Sequence, residues 1–184
     1  MRVKTSSKHN EKWTKIINVF MENKIDELMI IHRTGARGRI LSHLVKNMFD
    51  CISLQYESEP VFDHKPPNEW YVDFANETDD IQLRSHNFYN PDFSIGDSSW
   101  IEVTLSENTA YKKLFRYGHQ VDFIRVIWID PDEGLHKKVC QNIQFPNADV
   151  VNIEHYYDQL QRTSQGIEII NKVEQLKKLK GVVM

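Results

Sequence analysis

The chain has 184 residues, of which 40% are hydrophobic and 27% are charged, and its formal net charge is −3. These values are typical of one folded domain, and the mild negative charge argues against a protein that coats nucleic acid by bulk electrostatic attraction, although it leaves nucleic-acid binding possible. No apolar run approaches the roughly 18 residues of a membrane span, and residues 1–11 lack the apolar stretch of a signal peptide. We therefore expect an intracellular protein that does not insert into membranes. Its two cysteines, Cys51 and Cys140, form no zinc-type pair, so any metal ion here should use oxygen and imidazole ligands.

Helical spacing dominates the N-terminal part of the chain. Residues 8–49 carry apolar side chains at intervals of three and four, which predicts two or three packed helices. Two glycines interrupt the pattern in residues 33–39, so we expect a flexible loop there and His32 at the end of the second helix. Residues 51–67 contain three prolines among acids, which favours an irregular surface connection, and regular structure should resume at residues 70–74.

Strand patterns appear in the centre of the chain. Residues 93–95 and 100–105 flank a turn of glycine, aspartate and serine, which predicts a β-hairpin. Alternation in the second strand separates a core face, with Val103, from a cleft face, with Trp100 and Glu102. Glu102 is thereby expected to point into a cleft.

A helix and a buried strand follow the hairpin. Ser106 or Asn108 can cap a helix that ends at Gly118, and the apolar run at residues 123–129 is typical of a strand buried on both sides. The predicted order is strand, strand, helix, strand.

The last third of the chain is expected to be mostly helical. We predict a helical stretch at residues 135–141, a short strand at 149–153, and a helical tail at 154–184 with an amphipathic part at 167–179. Basic residues at 112–116 and 172–180 could contact phosphates locally.

Two acids on adjacent predicted strands carry the functional argument. Asp92 follows Pro91 where the first strand opens, and Glu102 lies across from it on the second. Phosphodiester hydrolysis needs charge neutralisation on the phosphoryl group and a hydroxide near neutral pH, and divalent ions held by carboxylates supply both. Asp92 and Glu102, with the Val103 backbone carbonyl, could form such a metal clamp.

This pattern resembles the PD-(D/E)xK cap-snatching endonuclease domain at the N-terminus of segmented negative-strand RNA virus polymerases. That family includes the L protein of bunyaviruses and hantaviruses and the influenza polymerase acidic subunit. The resemblance covers residues 32–129 and implies His32, Glu59, Asp92 and Glu102 as metal ligands. The fold class that the resemblance implies for this chain is α/β, with a mixed β-sheet flanked by helices and an N-terminal helical lobe.

The lysine of the motif is displaced in this chain. Thr104 occupies the position two residues after the strand acid, where many PD-(D/E)xK enzymes place lysine. The resemblance to the hantavirus and influenza type of site moves the catalytic lysine to the next helix, as Lys112 or Lys113. Helical geometry does not choose between them, and we favour Lys113 from its distance to the next strand.

The intermediate acid also has alternatives. Glu59 stands in a proline-rich segment without periodic restraint, and Glu57 and Asp50 are near it in sequence. The choice among these three acids stays open.

The resemblance implies a single endonuclease domain over residues 1–184, with its nuclease core at about 69–153. It would be a monomeric fragment of a larger RNA-directed RNA polymerase, acting in viral transcription in the host cytoplasm or alternatively the nucleus. The expected activity is hydrolysis of single-stranded capped RNA with two Mn²⁺ ions, or more weakly Mg²⁺, because an imidazole ligand favours manganese. Arg116 and Gln120 would contact the RNA backbone. The rival hypotheses are a DNA endonuclease of the restriction-enzyme type and a catalytically silent polymerase domain.

Overall fold

The computed structural model describes residues 7–24, 34–60, 62–63, 88–89, 91–118, 121–130 and 146–179. The helices are α1 (Ser7–Met21), α2 (Thr34–Cys51), α3 (Glu107–Tyr117), α4 (Tyr157–Leu160) and α5 (Ser164–Lys178), with a 3-10 helix at Ile153–Tyr156. The strands are β1 (Glu57–Ser58), β2 (Phe62–Asp63), β3 (Phe88–Tyr89), β4 (Phe93–Ile95), β5 (Ser99–Ser106), β6 (Phe123–Asp130) and β7 (Ala148–Asn152). None of these described helices is long and apolar enough to cross a membrane.

The chain divides into two compact units. Met1–Leu54 and Glu154–Met184 form the first, which we call the helical unit, and Gln55–Ile153 forms the second, which we call the sheet unit. The predicted N-terminal helical segment, residues 8–49, and the predicted helical tail, residues 154–184, therefore belong to the same unit.

In the helical unit, α2 differs from its sequence prediction. The expected loop at residues 33–39 is wrong, because α2 begins at Thr34 and runs through both glycines. A glycine inside a helix costs about 1 kcal/mol, whereas full burial of Ile40 and Leu41 contributes roughly 1.5–3 kcal/mol each. The free energy gained by packing these side chains therefore outweighs the helix-destabilising effect of the two glycines.

Lys172 on α5 has a structural role rather than a surface one. Its side chain is buried, and its amine donates hydrogen bonds to the Phe20 carbonyl at 3.0 Å and to Asn23 Oδ1 at 2.7 Å. Lys177, further along the same helix, pairs with Glu154 and Glu174. Two of the four lysines of the basic segment 172–180, Lys172 and Lys177, are thus engaged within the helical unit, while Lys178 is exposed and residue 180 lies outside the described residues.

The sheet unit is built on a five-stranded sheet with the order β1-β4-β5-β6-β7. The β1–β4 and β4–β5 pairs are antiparallel, while the β5–β6 and β6–β7 pairs are parallel. The connection from β5 to β6 contains α3, which packs on both strands. A mixed α/β fold with a mixed sheet is therefore confirmed. Strands β2 and β3 form a separate antiparallel pair.

The predicted hairpin is present as β4 and β5. Its turn contains Gly96 at φ +66°, a left-handed conformation that glycine adopts without steric cost. The register pairs Phe93 of β4 with Ile101 of β5. The next residue away from the turn is therefore Asp92, just before the first strand, and Glu102 on the second. The turn geometry thus determines which two acids approach each other.

The expected cleft face of β5 is wrong. Trp100 is 1% exposed and Glu102 is 2% exposed, because α3 covers this face of the strand. Trp100 belongs to an apolar cluster with Leu114 of α3 and Ile124 of β6. Strands beside a parallel neighbour are commonly buried on both faces, and here that leaves Glu102 as a buried carboxyl group.

The remaining predictions concern the C-terminal part of the chain and residues 70–74 and 135–141. The strand predicted at residues 149–153 is present as β7, and the described part of the tail is helical at Ile153–Tyr156, Tyr157–Leu160 and Ser164–Lys178. Residues 180–184 of the predicted tail lie outside the described residues. Residues 70–74 and 135–141 lie outside the described residues.

Candidate metal and catalytic site

Three side chains that are distant in sequence meet beside β5. The Lys113 amine donates to Glu102 Oε2, to Asp92 Oδ2 at 3.3 Å and to the Val103 carbonyl at 2.8 Å. Two carboxylates, one carbonyl oxygen and one ammonium therefore form a single cluster within the sheet unit.

Asp92 is held in place by the backbone of β5. The Val103 amide donates to Asp92 Oδ2 at 2.7 Å, so the carboxylate is fixed even though Asp92 itself precedes β4. A hydrogen bond to a carboxylate is stronger than one between neutral groups. The arrangement keeps the Asp92 carboxylate beside Glu102.

The start of α3 decides which lysine reaches the acids. Ser106 caps the helix, with its hydroxyl oxygen accepting from the Thr109 amide at 3.2 Å. Lys113 then lies about two turns into the helix, on the side that faces β5. Lys112, one residue earlier, is exposed. Of the two lysines that the sequence left open, the structure places Lys113 at the acids.

Burial governs the protonation of Glu102. It raises the pKa of this carboxyl from its ordinary 4.5 to about 8 against the attraction of Lys113, and the Asp92 carboxylate adds to the rise. Burial alone would lower the pKa of the Lys113 amine, but the two carboxylates outweigh it and raise that pKa. The cluster therefore stabilises positive charge at Lys113 and disfavours an isolated negative charge at Glu102.

One oxygen of this cluster is without a hydrogen bond. Glu102 Oε1 is buried and has no partner among the described residues. An unsatisfied buried polar group costs roughly 1–3 kcal/mol, and most such groups in proteins are satisfied by a partner or a ligand. Glu102 thus retains an acceptor that a bound cation could use.

The oxygen donors fit a hard divalent cation. Asp92, Glu102 and the Val103 carbonyl supply the carboxylate and carbonyl oxygens that Mg²⁺ and Mn²⁺ prefer. Among the described residues no group of three or more His, Cys, Asp or Glu side chains is arranged to hold a metal ion. A cation bound here would therefore complete its coordination with water or substrate oxygens, as Mg²⁺ usually does.

Comparisons with protein-family models, curated proteins and solved structures found no match for this chain. We therefore infer the function from the residues of the chain themselves.

Among the alternatives for the intermediate acid, Glu59 has a direct backbone connection to the site. Its amide donates to the Asp92 carbonyl at 2.9 Å, where β1 runs alongside β4. Glu59 also has φ +48°, a conformation uncommon for residues other than glycine. Glu57 pairs with Ser94 further along the sheet, and Asp50 belongs to α2 of the helical unit.

Three further predicted site residues are not described at the side-chain level. His32 and Gln120 lie outside the described residues, and for Arg116 the structure describes only the backbone, within α3. Their roles stay predictions.

Asn147 anchors the C-terminal end of the helix that carries Lys113, and the sequence did not indicate this. Its amide nitrogen donates to the Gly118 carbonyl at 3.2 Å and to the Val121 carbonyl at 2.9 Å. These bonds fasten the end of α3 to the residues before β7. An asparagine next to a proline in a connecting segment is common at turns, so the sequence carried only a weak signal.

Proposed function

We propose that this chain is a divalent-metal-dependent nuclease of the PD-(D/E)xK kind. The observation that carries the proposal is the contact of Lys113 with both Asp92 and Glu102. The hairpin supplies the acids and the following helix supplies the lysine, in the strand, strand, helix, strand order of the sheet unit.

Each residue of the cluster has a distinct role in this proposal. Asp92, Glu102 and the Val103 carbonyl would hold the cation. When bound, a divalent ion neutralises phosphoryl charge and lowers the pKa of water, which is the chemistry that phosphodiester hydrolysis requires. The Lys113 ammonium would stabilise negative charge that develops on the phosphoryl oxygens during attack.

Single-stranded RNA is the substrate that we propose. It is implied by the resemblance to cap-snatching endonucleases, as is the role of the domain in a viral polymerase. A manganese preference depends further on the predicted ligand His32.

The substrate can be tested with end-labelled oligonucleotides in Mn²⁺. We expect the protein to cut single-stranded RNA at internal positions and to leave duplex DNA largely intact. Glu102→Gln controls for contaminating nucleases, because it keeps the side-chain shape but cannot supply a carboxylate to the cation. Cleavage of duplex DNA in preference to RNA would support the restriction-enzyme type instead.

One observation favours a second candidate, a catalytically silent domain. Lys113 already pairs with both acids, and buried ion pairs of this kind also occur as purely structural features. A silent domain would cut neither RNA nor DNA with any divalent ion, yet would lose stability when Lys113 is replaced.

A further inference from the structure

The Lys113 amine contacts one oxygen from each group in the proposed metal ligand set. These are Asp92 Oδ2, Glu102 Oε2 and the Val103 carbonyl oxygen. An ammonium group and a divalent cation cannot both lie within bonding distance of the same small set of oxygens without strong repulsion. The inference that follows depends on the proposed function, since it concerns the same site.

We propose that Lys113 competes with the divalent cation for these oxygens, so that metal binding releases its amine toward the substrate. Without metal, the ammonium occupies one oxygen of each acid. With metal, the cation takes its place. The lysine then becomes available to a phosphate only when the metal is in place.

The surroundings of the cluster allow this exchange. The Lys113 and Asp92 side chains are 24% and 29% exposed, whereas that of Glu102 is 3% exposed, so the amine has a route to solvent on the Asp92 side. Lysine has a flexible four-carbon stem, which permits such a movement without a change in the helix.

Two further features of the site favour binding of the cation. The Val103 amide still holds Asp92 after the amine leaves, so the carboxylate stays in place. Glu102 Oε1, unpartnered among the described residues, gives the cation an acceptor that Lys113 does not use.

The test is the Mn²⁺ affinity of three proteins, measured by calorimetry on the full chain without substrate. Lys113→Met keeps much of the side-chain volume and removes the competing charge. We expect its dissociation constant to fall about tenfold or more, as for loss of one charge-assisted hydrogen bond. Lys112→Met, on the same helix with an exposed side chain, should bind Mn²⁺ like the parent.

The outcomes separate this inference from the proposed function. If Lys113→Met binds Mn²⁺ equally or more weakly than the parent, competition is excluded while the metal site stands. If the parent and Lys113→Met both fail to bind Mn²⁺, the metal site itself is wrong and the inference is lost with it.

A second measurement needs no substitution at Lys113. Acetylation of the parent protein, read by mass spectrometry, reports how accessible each amine is with and without Mn²⁺. We expect Mn²⁺ to increase labelling of Lys113 severalfold and to leave Lys112 unchanged. Equal labelling of Lys113 in both conditions would overturn the proposed release.

Discussion

The Val103 amide donates to Asp92 Oδ2 at 2.7 Å, so the backbone of one strand positions the acid of its neighbour. Because Val103 directly follows Glu102, this bond keeps both carboxylates close together. At this distance the Asp92 carboxylate disfavours ionisation of Glu102, and a bound cation would stabilise both acids in their ionised form.

Mn²⁺ should therefore raise the melting temperature of the protein. Ligand binding to the folded state adds RT ln(1 + [L]/Kd) to stability, about 2.7 kcal/mol at a hundredfold excess over Kd. Asp92→Ala and Glu102→Ala should each abolish most of this shift in thermal unfolding experiments. If Mn²⁺ stabilises both variants as much as the parent, the ions bind elsewhere.

The raised pKa of Glu102 predicts a pH-dependent stability in the absence of metal. A folded-state pKa of about 8, against an ordinary 4.5, means that the folded protein keeps a proton that the unfolded chain releases. The stabilisation is complete below pH 4.5 and is lost as pH rises toward 8, by at most about 1.4 kcal/mol per pH unit.

Urea unfolding in EDTA between pH 5 and 8 measures this effect. The stability of the parent should decline relative to Glu102→Gln across this range. Glu57→Gln, which removes an exposed carboxylate from β1, controls for the general effect of the substitution. Parallel pH profiles for the parent and Glu102→Gln would contradict the burial argument.

Lys113→Ala should cleave RNA about 10²–10³-fold more slowly than the parent, as expected for loss of one electrostatic contact in the transition state. Lys112→Ala should cleave at the parental rate, because its side chain is exposed rather than directed at the acids. Single-turnover cleavage at saturating Mn²⁺ gives the comparison. Parental rates for both variants would remove the lysine from the mechanism.

The cap of α3 should affect both stability and activity, because it sets the position of Lys113. Ser106→Ala removes the acceptor for the Thr109 amide and should cost about 1 kcal/mol. Ser106→Asp retains an acceptor and should restore much of the loss. Urea unfolding together with the cleavage rate distinguishes a displaced lysine from simple destabilisation.

Local sequence signals were sufficient for the hairpin and the helix after it. The turn around Gly96, the cap at Ser106 and the apolar run of β6 each depend on residues close together in sequence. Asp92 and Glu102 could be paired in advance because a short hairpin leaves little freedom of register.

Features that depend on tertiary packing were not predictable in the same way. Residues 34–39 are helical because Ile40 and Leu41, further along α2, are buried, which no local rule on glycine anticipates. The burial of Glu102 depends on α3 covering β5. The choice of Lys113 over Lys112 depends on where that helix begins.

We propose that this cluster cleaves RNA with a divalent ion. Its most direct test is cleavage of single-stranded RNA by the parent and by Asp92→Asn, each with Mn²⁺, with Mg²⁺ and with EDTA. We predict that the parent cuts in Mn²⁺, more slowly in Mg²⁺ and not in EDTA, that re-added Mn²⁺ restores cutting, and that Asp92→Asn is inactive throughout. Cleavage that persists in EDTA, or that Asp92→Asn retains in full, would contradict the account.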